Sequence, residues 1–321
     1  MANWKHRKVL VTGAGGFIGG HLVRALLTEG ADICITTLTV APPFRLREYR
    51  GQLRHDVLTL PDAAAARDLC ESFQPETVFH LAALLPTANA SAEEFSQVNV
   101  EGTKDMFESA EAIGAAHFVA LGSTWEYGPL RSPIREDAEE MPQGDYGKSK
   151  YEATRLLQRL SDERTRTTVL RLSTVYGPEQ EAGMFIPSCI AACMAHEPFP
   201  MSAGEQQLDF IYVADVVRGL LKAGIREEGE TFEIVNLGSG KPRALRDVAR
   251  LVAREFDAEH CLQFGAKPYH PHEPSTRYFS IEKASALLGW YPETPLEKGI
   301  MQTIEWYRSH PPLVSAMMDP A

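Results

Sequence analysis

The sequence predicts an α/β protein built around a doubly wound parallel sheet, followed by a smaller C-terminal α/β region. Two observations lead to this prediction. Apolar, strand-like segments alternate with longer helical segments over the first half of the chain, as in βαβ units. A glycine-rich turn also joins the first strand to the first helix. The predicted strands are 8–12, 32–38, 77–83, 116–123 and 167–173. The predicted helices are 17–30, 61–73, 91–113 and one that starts within the 144–153 motif.

Each element follows from a local pattern. KVLVT (8–12) is a short apolar segment of the kind that forms buried strands, and DICITTL, TVFHLAA, AHFVALGS and TTVLRLS are similar. FIGGHLVRALLTEG repeats apolar residues at helical spacing and closes with Gly30, a common residue at helix ends. PDAAAARDLCESF is rich in alanine and has Pro61 where the first turn of a helix accepts proline. After residue 177, segments such as KPYHPHEP interrupt the alternation, which predicts loops and short elements.

The composition narrows the partners and cellular locations that we expect for this protein. The 321-residue chain carries 43 acidic and 32 basic residues, a net charge of −11, and has no run of Lys or Arg, so we expect no nucleic-acid partner. The five cysteines are scattered, without a CxxC or a Cys/His cluster at zinc spacing, which predicts reduced thiols in a cytoplasmic protein and no metal site. The N-terminal apolar run ends in glycines, and no segment reaches the roughly 18 apolar residues of a membrane span. We therefore expect a soluble protein with no membrane partner.

The glycine turn VTGAGGFIGG follows the first strand and opens the first helix. Glycines allow the backbone to approach a pyrophosphate closely, and the free N–H groups of the helix N-terminus attract that anion. The predicted cofactor contacts here are Gly13, Gly16, Phe17, Ile18 and Gly19. The turn thus predicts a dinucleotide-binding Rossmann domain over 1–176, to which 209–237 return, and a substrate-binding region at 177–208 and 238–321.

A second motif, GDYGKSKYEA (144–153), places Tyr146 and Lys150 four positions apart and therefore on one face of a helix. Alone, this pair also fits a solvent-exposed helix start. Together, Gly-x-x-Gly-x-x-Gly and Tyr-x-x-x-Lys resemble the short-chain dehydrogenase/reductase superfamily. HLAA (80–83) and DFIYVADVV (209–217) resemble its extended branch, the NAD-dependent epimerase/dehydratase group, which acts mainly on nucleotide sugars. The resemblance runs from Lys8 to the segment LGWYPETPLEKGI (288–300).

The resemblance implies a catalytic set of Ser123, Tyr146 and Lys150. A free tyrosine titrates near pH 10, too high for a base at neutral pH. An ammonium and a positive nicotinamide ring nearby favour the phenolate, so we expect a lowered pKa for Tyr146. Tyr146 would exchange a proton with the sugar oxygen, Ser123 would orient that oxygen, and Lys150 would also hold the nicotinamide ribose.

The cofactor is predicted from the end of the second strand. Thr37 occupies the position where an acidic residue usually selects NAD, so no carboxylate repels a 2′-phosphate there. Arg45, Arg47 and Arg50 follow, either as partners of that phosphate or as a solvated helix face. We therefore favour NADP and keep NAD open. The resemblance adds further cofactor contacts at Asp56, Val57, Leu81, Ala82, Ala83 and Asn99.

Four departures from the family pattern bear on the reaction. Thr124 and Trp125 stand where the 4,6-dehydratases carry Asp-Glu, which argues against dehydration. Leu208 replaces a nucleotide-binding Arg and Thr174 replaces an Asn. The pyrophosphate-binding Arg near the C-terminus is displaced to Arg277, with His270 and His272 nearby as further diphosphate contacts; His-x-His without a third ligand is a weak metal motif. The predicted substrate contacts are Ser123, Thr124, Thr174 and Arg277.

These features predict an NADP-dependent reductase of a keto-sugar nucleotide, specifically an NDP-4-keto-6-deoxyhexose, with Tyr146 as the proton donor. An NAD-retaining nucleotide-sugar 4-epimerase is the alternative within the same family. A non-catalytic dinucleotide sensor is the alternative of a different class, and the intact catalytic set argues against it. The resemblance also implies a homodimer formed through the 91–113 helix and the Tyr146 helix.

Overall fold

A parallel seven-stranded sheet positions most of the predicted site. The computed structural model describes residues 4–41, 43–161, 164–181, 183–269 and 275–310. Its strands are β1 (Lys8–Thr12), β2 (Asp32–Thr37), β3 (Arg54–Val57), β4 (Thr77–His80), β5 (His117–Ser123), β6 (Arg166–Leu172), β7 (Thr174–Tyr176), β8 (Phe199–Met201), β9 (Gln207–Tyr212), β10 (Phe232–Leu237), β11 (Pro242–Ala244), β12 (Leu262–Phe264) and β13 (Thr276–Arg277). Its helices are α1 (Phe17–Thr28), α2 (Ala63–Phe73), α3 (Ala92–Ser96), α4 (Gly102–Ala112), α5 (Gly144–Leu160), α6 (Phe185–Ala195), α7 (Val213–Ala223), α8 (Leu245–Arg254), α9 (Glu282–Leu288) and α10 (Leu296–Ser309).

The strand order of the large sheet is β10-β6-β5-β4-β1-β2-β3, and every neighbouring pair is parallel. The chain runs outward in both directions from β1, so β1 and β4 flank the point where the order reverses. Ligands of open α/β sheets bind at the carboxyl ends of the strands at such a point. The predicted Rossmann-type α/β fold is confirmed.

Alternation along β1 explains why helices cover both faces of this sheet. Val9 and Val11 point into a core shared with α1 and α7, whereas Leu10 points into a core shared with α2 and α4. All three side chains are fully buried. A strand buried on both faces lacks polar alternation, and this is why its sequence is uniformly apolar.

The C-terminal part builds a second, smaller core from α6, α8 and α10. These helices lie beside a four-stranded sheet, in which β9 pairs with β7, β11 and β13, and beside the two-stranded ribbon β8–β12. Helix α7 returns to pack on α1, and β10 returns to pair with β6. The assignment of cofactor binding to one part and substrate binding to the other remains a proposal.

Two helices differ from their predicted form. The 91–113 segment is not one regular helix: α3 and α4 are separated by a wide π turn at Gln97–Glu101. Helix α2 begins at Ala63, because Asp62 caps it by accepting a hydrogen bond from the Ala65 N–H, so Pro61 lies before the helix. Among the helices of the described residues, none combines the length and apolar composition needed to cross a membrane.

Candidate active site

The predicted catalytic residues meet at the end of β5. Ser123 is the last residue of β5, and its hydroxyl is hydrogen-bonded to the phenol of Tyr146 in the first turn of α5. Lys150 follows one helical turn later and is only 8% exposed. The fold therefore brings together three side chains that are up to 27 positions apart in the sequence.

The ionisation of this set differs from the sequence-based expectation. Burial raises the pKa of Tyr146 to about 12, and the negative charge of Glu126 adds to this rise, while the hydrogen bond from Ser123 opposes it. Burial also lowers the pKa of Lys150, which Glu126 opposes. Removal of the phenol from water thus outweighs the hydrogen bond from Ser123. In the chain by itself, Tyr146 is protonated at neutral pH.

Glu126 is a site residue that sequence reasoning missed. It is fully buried three residues after Ser123, and its Oε1 accepts a 2.7 Å hydrogen bond from the Ser123 N–H. Its Oε2 accepts a 2.8 Å bond from the hydroxyl of Thr154, which lies one turn beyond Lys150 on α5. Glu126 therefore joins the strand that carries Ser123 to the helix that carries Tyr146. The Ser-x-x-Glu spacing, a capping-box pattern, is the signal that could have revealed it.

A buried arginine neutralises Glu126. Arg171, on the adjacent strand β6, has no exposed side-chain surface, and its Nη2 lies 2.7 Å from Oε2 of Glu126. The same nitrogen lies 3.0 Å from Oε1 of Glu140, and the guanidinium stacks 4.3 Å from the Tyr127 ring centre. Buried charges persist in this way only when paired and hydrogen-bonded.

The glycine turn has the shape that a dinucleotide requires. Gly13 has φ +67°, and a Cβ atom there would lie 2.6 Å from the backbone nitrogen of Ala82. A Cβ atom on Gly19 would lie 2.3 Å from the carbonyl oxygen of Gly13. The Thr12 hydroxyl accepts a 3.2 Å bond from the Ala82 N–H, which fixes the turn against the loop after β4. The residues present therefore fit a pyrophosphate at the start of α1.

The loop at Leu81, Ala82 and Ala83 is connected to the catalytic helix through Asn99, on the π turn. The Asn99 side chain accepts a 2.7 Å bond from the Leu84 N–H and donates a 3.0 Å bond to the Ser149 hydroxyl. The π turn thus aims a fully buried amide between two segments that the sequence assigned to the cofactor.

His80 is a second buried group of the site, and the sequence analysis assigned no role to it. Its ring nitrogens are hydrogen-bonded to the hydroxyls of Thr12, at 3.0 Å, and Thr103, at 3.1 Å. Burial, aided by the Lys150 charge, lowers the pKa of His80 to about 3. A neutral imidazole therefore ties β1 to α4 beneath the site.

At the end of β2, Thr37 donates a 2.7 Å bond to the Thr39 carbonyl and is hydrogen-bonded to His55 at 2.7 Å. The Asp56 carboxylate accepts bonds from Arg54 Nε at 2.7 Å and Cys34 Sγ at 3.3 Å. Partial burial opposes ionisation, but these two bonds hold the pKa of Asp56 below its usual value. The neighbouring Val57 is half-exposed. The roles of Thr37, Asp56 and Val57 towards adenosine remain predictions.

Arg45 makes contacts within the protein that the sequence did not predict. It is 9% exposed and donates a 2.8 Å bond to the Gly15 carbonyl and a 2.5 Å bond to the Glu179 carbonyl. It also forms a 3.0 Å ion pair with Glu181. The guanidinium therefore braces the glycine turn, and its predicted contact with a 2′-phosphate would compete with these partners.

A cavity of about 510 Å³ lies beside Tyr146. Its lining residues are Pro86, Thr87, Ala88, Ala90, Phe95, Trp125, Gln143, Gly144, Asp145, Tyr146 and Arg277. Arg277 lies 5.5 Å from the Trp125 ring centre, so its positive charge faces the cavity wall next to Tyr146. A larger cavity of about 640 Å³ at the β10 edge contains none of the predicted site residues.

Two buried hydroxyls lie at the ends of the adjacent strands β5 and β6. Thr124 follows β5 and Ser173 follows β6, and within the described part of the chain neither hydroxyl has a hydrogen-bond partner. Buried polar atoms without a protein partner are uncommon and point to a bound group. Thr174, the next residue, begins β7 and is partly buried.

Arg277 and Leu208 are paired across β13 and β9. The arginine therefore enters beside the position from which the family's usual arginine is missing. His270 and His272 lie outside the described residues.

A glycine turn at the switch point of a parallel sheet, with Ser, Tyr and Lys at a neighbouring strand end, defines a nucleotide-cofactor-dependent α/β enzyme class. Residues 9–238 match the model of the NAD dependent epimerase/dehydratase family, and the chain belongs to that family. This confirms the resemblance identified in the sequence.

Two relatives of similar length carry the names of nucleotide-sugar enzymes. The chain is 27% identical to a UDP-glucuronate 4-epimerase from Thermodesulfobacterium geofontis, covering 96% of this chain and 98% of that protein. It is 28% identical to a dTDP-D-glucose 4,6-dehydratase from Mus musculus, covering 95% and 89%.

Among solved structures, MoeE5 in complex with UDP-glucuronic acid and NAD has a TM-score of 0.84 at 29% identity, covering 94% of this chain and 99% of that one. The UDP-glucose 4-epimerase of Thermotoga maritima with UDP-glucose has a TM-score of 0.85 at 25% identity, with the same coverage.

Proposed function

We propose that this protein is a nucleotide-sugar 4-epimerase that retains NAD at the glycine turn. The observation that carries the proposal is the hydrogen-bonded Ser123–Tyr146 pair beside Lys150, at the wall of a cavity large enough for a sugar. This set supports reversible oxidation at one sugar carbon. The relatives with epimerase in their names, and the NAD bound in MoeE5, support the epimerase over the reductase that the sequence favoured.

The residues divide the work as follows. The Tyr146 phenol exchanges a proton with the sugar oxygen, and the Ser123 hydroxyl, already bonded to that phenol, orients the oxygen. The buried Lys150 ammonium supplies the positive charge that stabilises a phenolate. When bound, the nicotinamide provides the reversible two-electron oxidation of the sugar carbon. In an epimerase the oxidised sugar rotates within the cavity and is then reduced on its opposite face.

Dehydration is disfavoured by the fate of the carboxylate nearest to Ser123. Both Glu126 oxygens are used, one by the Ser123 N–H and the other by Thr154 and Arg171. The positions directly after Ser123 carry a hydroxyl and an indole, so these two positions supply no acid–base carboxylate pair.

An NADP-dependent reductase is the second candidate, and Thr37 favours it. No carboxylate stands at the end of β2 to repel a 2′-phosphate, and Arg47 and Arg50 are exposed on the following 3₁₀ segment. A 4-keto-6-deoxyhexose nucleotide would be its substrate, with Tyr146 as the proton donor. The protonated state of Tyr146 in the chain alone suits this role.

For either reaction we propose a nucleotide sugar as substrate, with Arg277 opposite its negative charge and with Thr124, Ser173 and Thr174 near the sugar ring. A cytoplasmic homodimer, paired through α3–α4 and α5, remains an expectation from the family resemblance.

The first test is to denature the purified protein and identify any dinucleotide released. Near-stoichiometric NAD or NADH, together with interconversion of UDP-glucose or UDP-glucuronic acid and their 4-epimers, would support the epimerase. Protein that purifies without a nucleotide, binds NADPH in preference to NADH and reduces a 4-keto sugar nucleotide would support the reductase instead.

Tyr146→Phe serves as the control for catalysis. We expect turnover to fall by roughly 10²- to 10⁴-fold, since the proton donor and acceptor is lost, while the cofactor still binds. Unchanged turnover in this variant would contradict both candidate functions.

A further inference from the structure

Two imidazoles and a thiol meet in the C-terminal half of the protein, away from the predicted catalytic residues. The ligand atoms of His196, His260 and Cys261 all lie within 4.8 Å of one another. The two imidazole rings are nearly parallel, 14° apart, with centres separated by 5.8 Å. Both histidines are exposed, whereas Cys261 is only 4% exposed. These are three good ligands for a transition metal on one small patch.

The backbone fixes this arrangement. His196 ends α6 in the left-handed conformation, with φ 54°, and its N–H bonds back to the last turn of the helix. Cys261 ends the 3₁₀ turn Glu259–Cys261, directly before β12. Because Leu262 pairs with Phe199 in the β8–β12 ribbon, the segments after His196 and Cys261 are hydrogen-bonded to each other. The cluster therefore sits where two chain segments, 64 residues apart, are joined.

The local electrostatics favour a cation. The carboxyl end of α6 carries the negative end of the helix dipole, and His196 lies at that end. A metal ion would displace the proton of the Cys261 thiol and neutralise the resulting thiolate, as in other cysteine sites.

We propose that His196, His260 and Cys261 bind a zinc ion that clamps the end of α6 to the turn before β12. Thiolate and imidazole ligands in a set of three or four are the preferred donors of Zn²⁺. Bond lengths of about 2.0–2.3 Å in a tetrahedral site bring ligand atoms to about 3.5 Å from one another. The ligand atoms therefore have to approach one another by up to about 1.3 Å, which rotations of the two exposed imidazoles can supply. Water would complete the fourth position.

This site is independent of the proposed epimerase or reductase chemistry, because it shares no residue with the catalytic set. Sequence reasoning predicted no metal, since it searched for ligands at short spacing along the chain. The alternative is that the cluster binds no metal and consists of a core cysteine beside two surface histidines. A zinc site predicts stoichiometric metal binding through a thiolate, and a cluster without metal does not.

The experiment uses full-length, untagged protein, stripped with a chelator and kept reduced with a phosphine. Titration with Co²⁺, a spectroscopic substitute for Zn²⁺, should give one equivalent of binding with tetrahedral visible bands and a thiolate-to-cobalt charge-transfer band. Excess Zn²⁺ should displace the cobalt. Cys261→Ser should abolish the charge-transfer band. Cys34→Ser, which alters a buried thiol beside Asp56 instead, should retain it.

His196→Gln and His260→Gln change exposed side chains and should leave the fold intact, as checked by circular dichroism. Each should weaken Zn²⁺ binding by at least the roughly 10- to 100-fold that follows loss of an outer partner alone. The melting temperature of the wild type should rise with added Zn²⁺ and fall again with chelator. Binding at millimolar concentration only, or a charge-transfer band that survives in Cys261→Ser, would overturn the proposal.

Discussion

Replacing Glu126 with Gln tests how the catalytic strand and helix are held together. The substitution keeps the shape of the side chain and an oxygen that can accept a bond from the Ser123 N–H. It removes the negative charge that lies 2.7 Å from the buried Arg171 guanidinium. It also removes the charge that raises the pKa values of Tyr146 and Lys150. We therefore expect a loss of stability and a change in the pH dependence of the reaction.

The magnitude follows from the burial of the pair. Breaking a fully buried ion pair on one side costs about 3–5 kcal/mol, because the remaining charge loses its partner. Arg171 keeps Glu140 at 3.0 Å, so we expect the lower end, about 3 kcal/mol, which corresponds to a fall of roughly 5 °C in melting temperature for a chain of this size. The pKa values of both Tyr146 and Lys150 should decrease, because the neighbouring negative charge is gone.

The assay combines thermal unfolding with the pH profile of kcat/KM. Glu140→Gln is the matched control, because Glu140 pairs with the same Arg171 but its side chain is bonded to neither Ser123 nor Thr154. It should lower stability without moving the alkaline limb of the profile. In Glu126→Gln this limb should move to lower pH. A Glu126→Gln enzyme with the wild-type melting temperature and pH profile would refute the reasoning.

Three further outcomes are expected. Gly13→Ala should lower the free energy of unfolding by more than about 2 kcal/mol and abolish dinucleotide binding, because the new Cβ would meet Ala82. The control Gly114→Ala has the same sign of φ but open space around the Cβ, so it should cost only about 1–2 kcal/mol and retain binding. Denaturant unfolding measures the stability of both variants, and fluorescence titration measures their dinucleotide binding. Arg277→Leu should raise KM for the nucleotide sugar by roughly 10- to 100-fold, the contribution of a charged hydrogen bond, while Arg243→Leu, which loses only an exposed ion pair, should not. The tyrosinate absorbance of the wild type minus that of Tyr146→Phe should show a midpoint near pH 12. Because this pKa lies above the value of about 10 in the unfolded chain, the free energy of unfolding should fall as pH rises from about 10 to 12. A midpoint near pH 10 would contradict the burial argument.

The fold and the cofactor turn were predictable because they depend on local patterns. The strand β1 begins and ends at the predicted residues, since an apolar segment followed by glycines leaves few alternatives. The 144–153 motif was likewise predicted to start a helix, and α5 extends over Gly144–Leu160. The π turn at Asn99 was not predictable, because its amide is directed by Leu84 and Ser149 and by no feature of the helix sequence.

The ion-pair partners of Arg45 and Glu126 were not predictable, because these residues pair with residues far away in the sequence. Arg45 was predicted to face a ligand, and its partners Glu179 and Glu181 lie more than 130 positions away. Glu126 and Arg171 lie 45 positions apart and neutralise each other on neighbouring strands. A charge in a sequence does not disclose its partner. Only the register of the sheet, which pairs Ser123 with Leu172, shows that these two meet.

The direction of the Tyr146 pKa connects these points to mechanism. The sequence implied a phenol made acidic by Lys150, but burial dominates and leaves the phenol protonated in the chain alone. A buried Glu126 strengthens this effect, and at the same time it favours the charged form of Lys150. The chain alone therefore holds Tyr146 as an acid, and an additional positive charge close to Tyr146 would favour the phenolate base. An oxidised nicotinamide ring carries that charge and a reduced ring does not. Proton acceptance by Tyr146 would then be coupled to the redox state in which the sugar has to be oxidised, and proton donation to the state in which it has to be reduced.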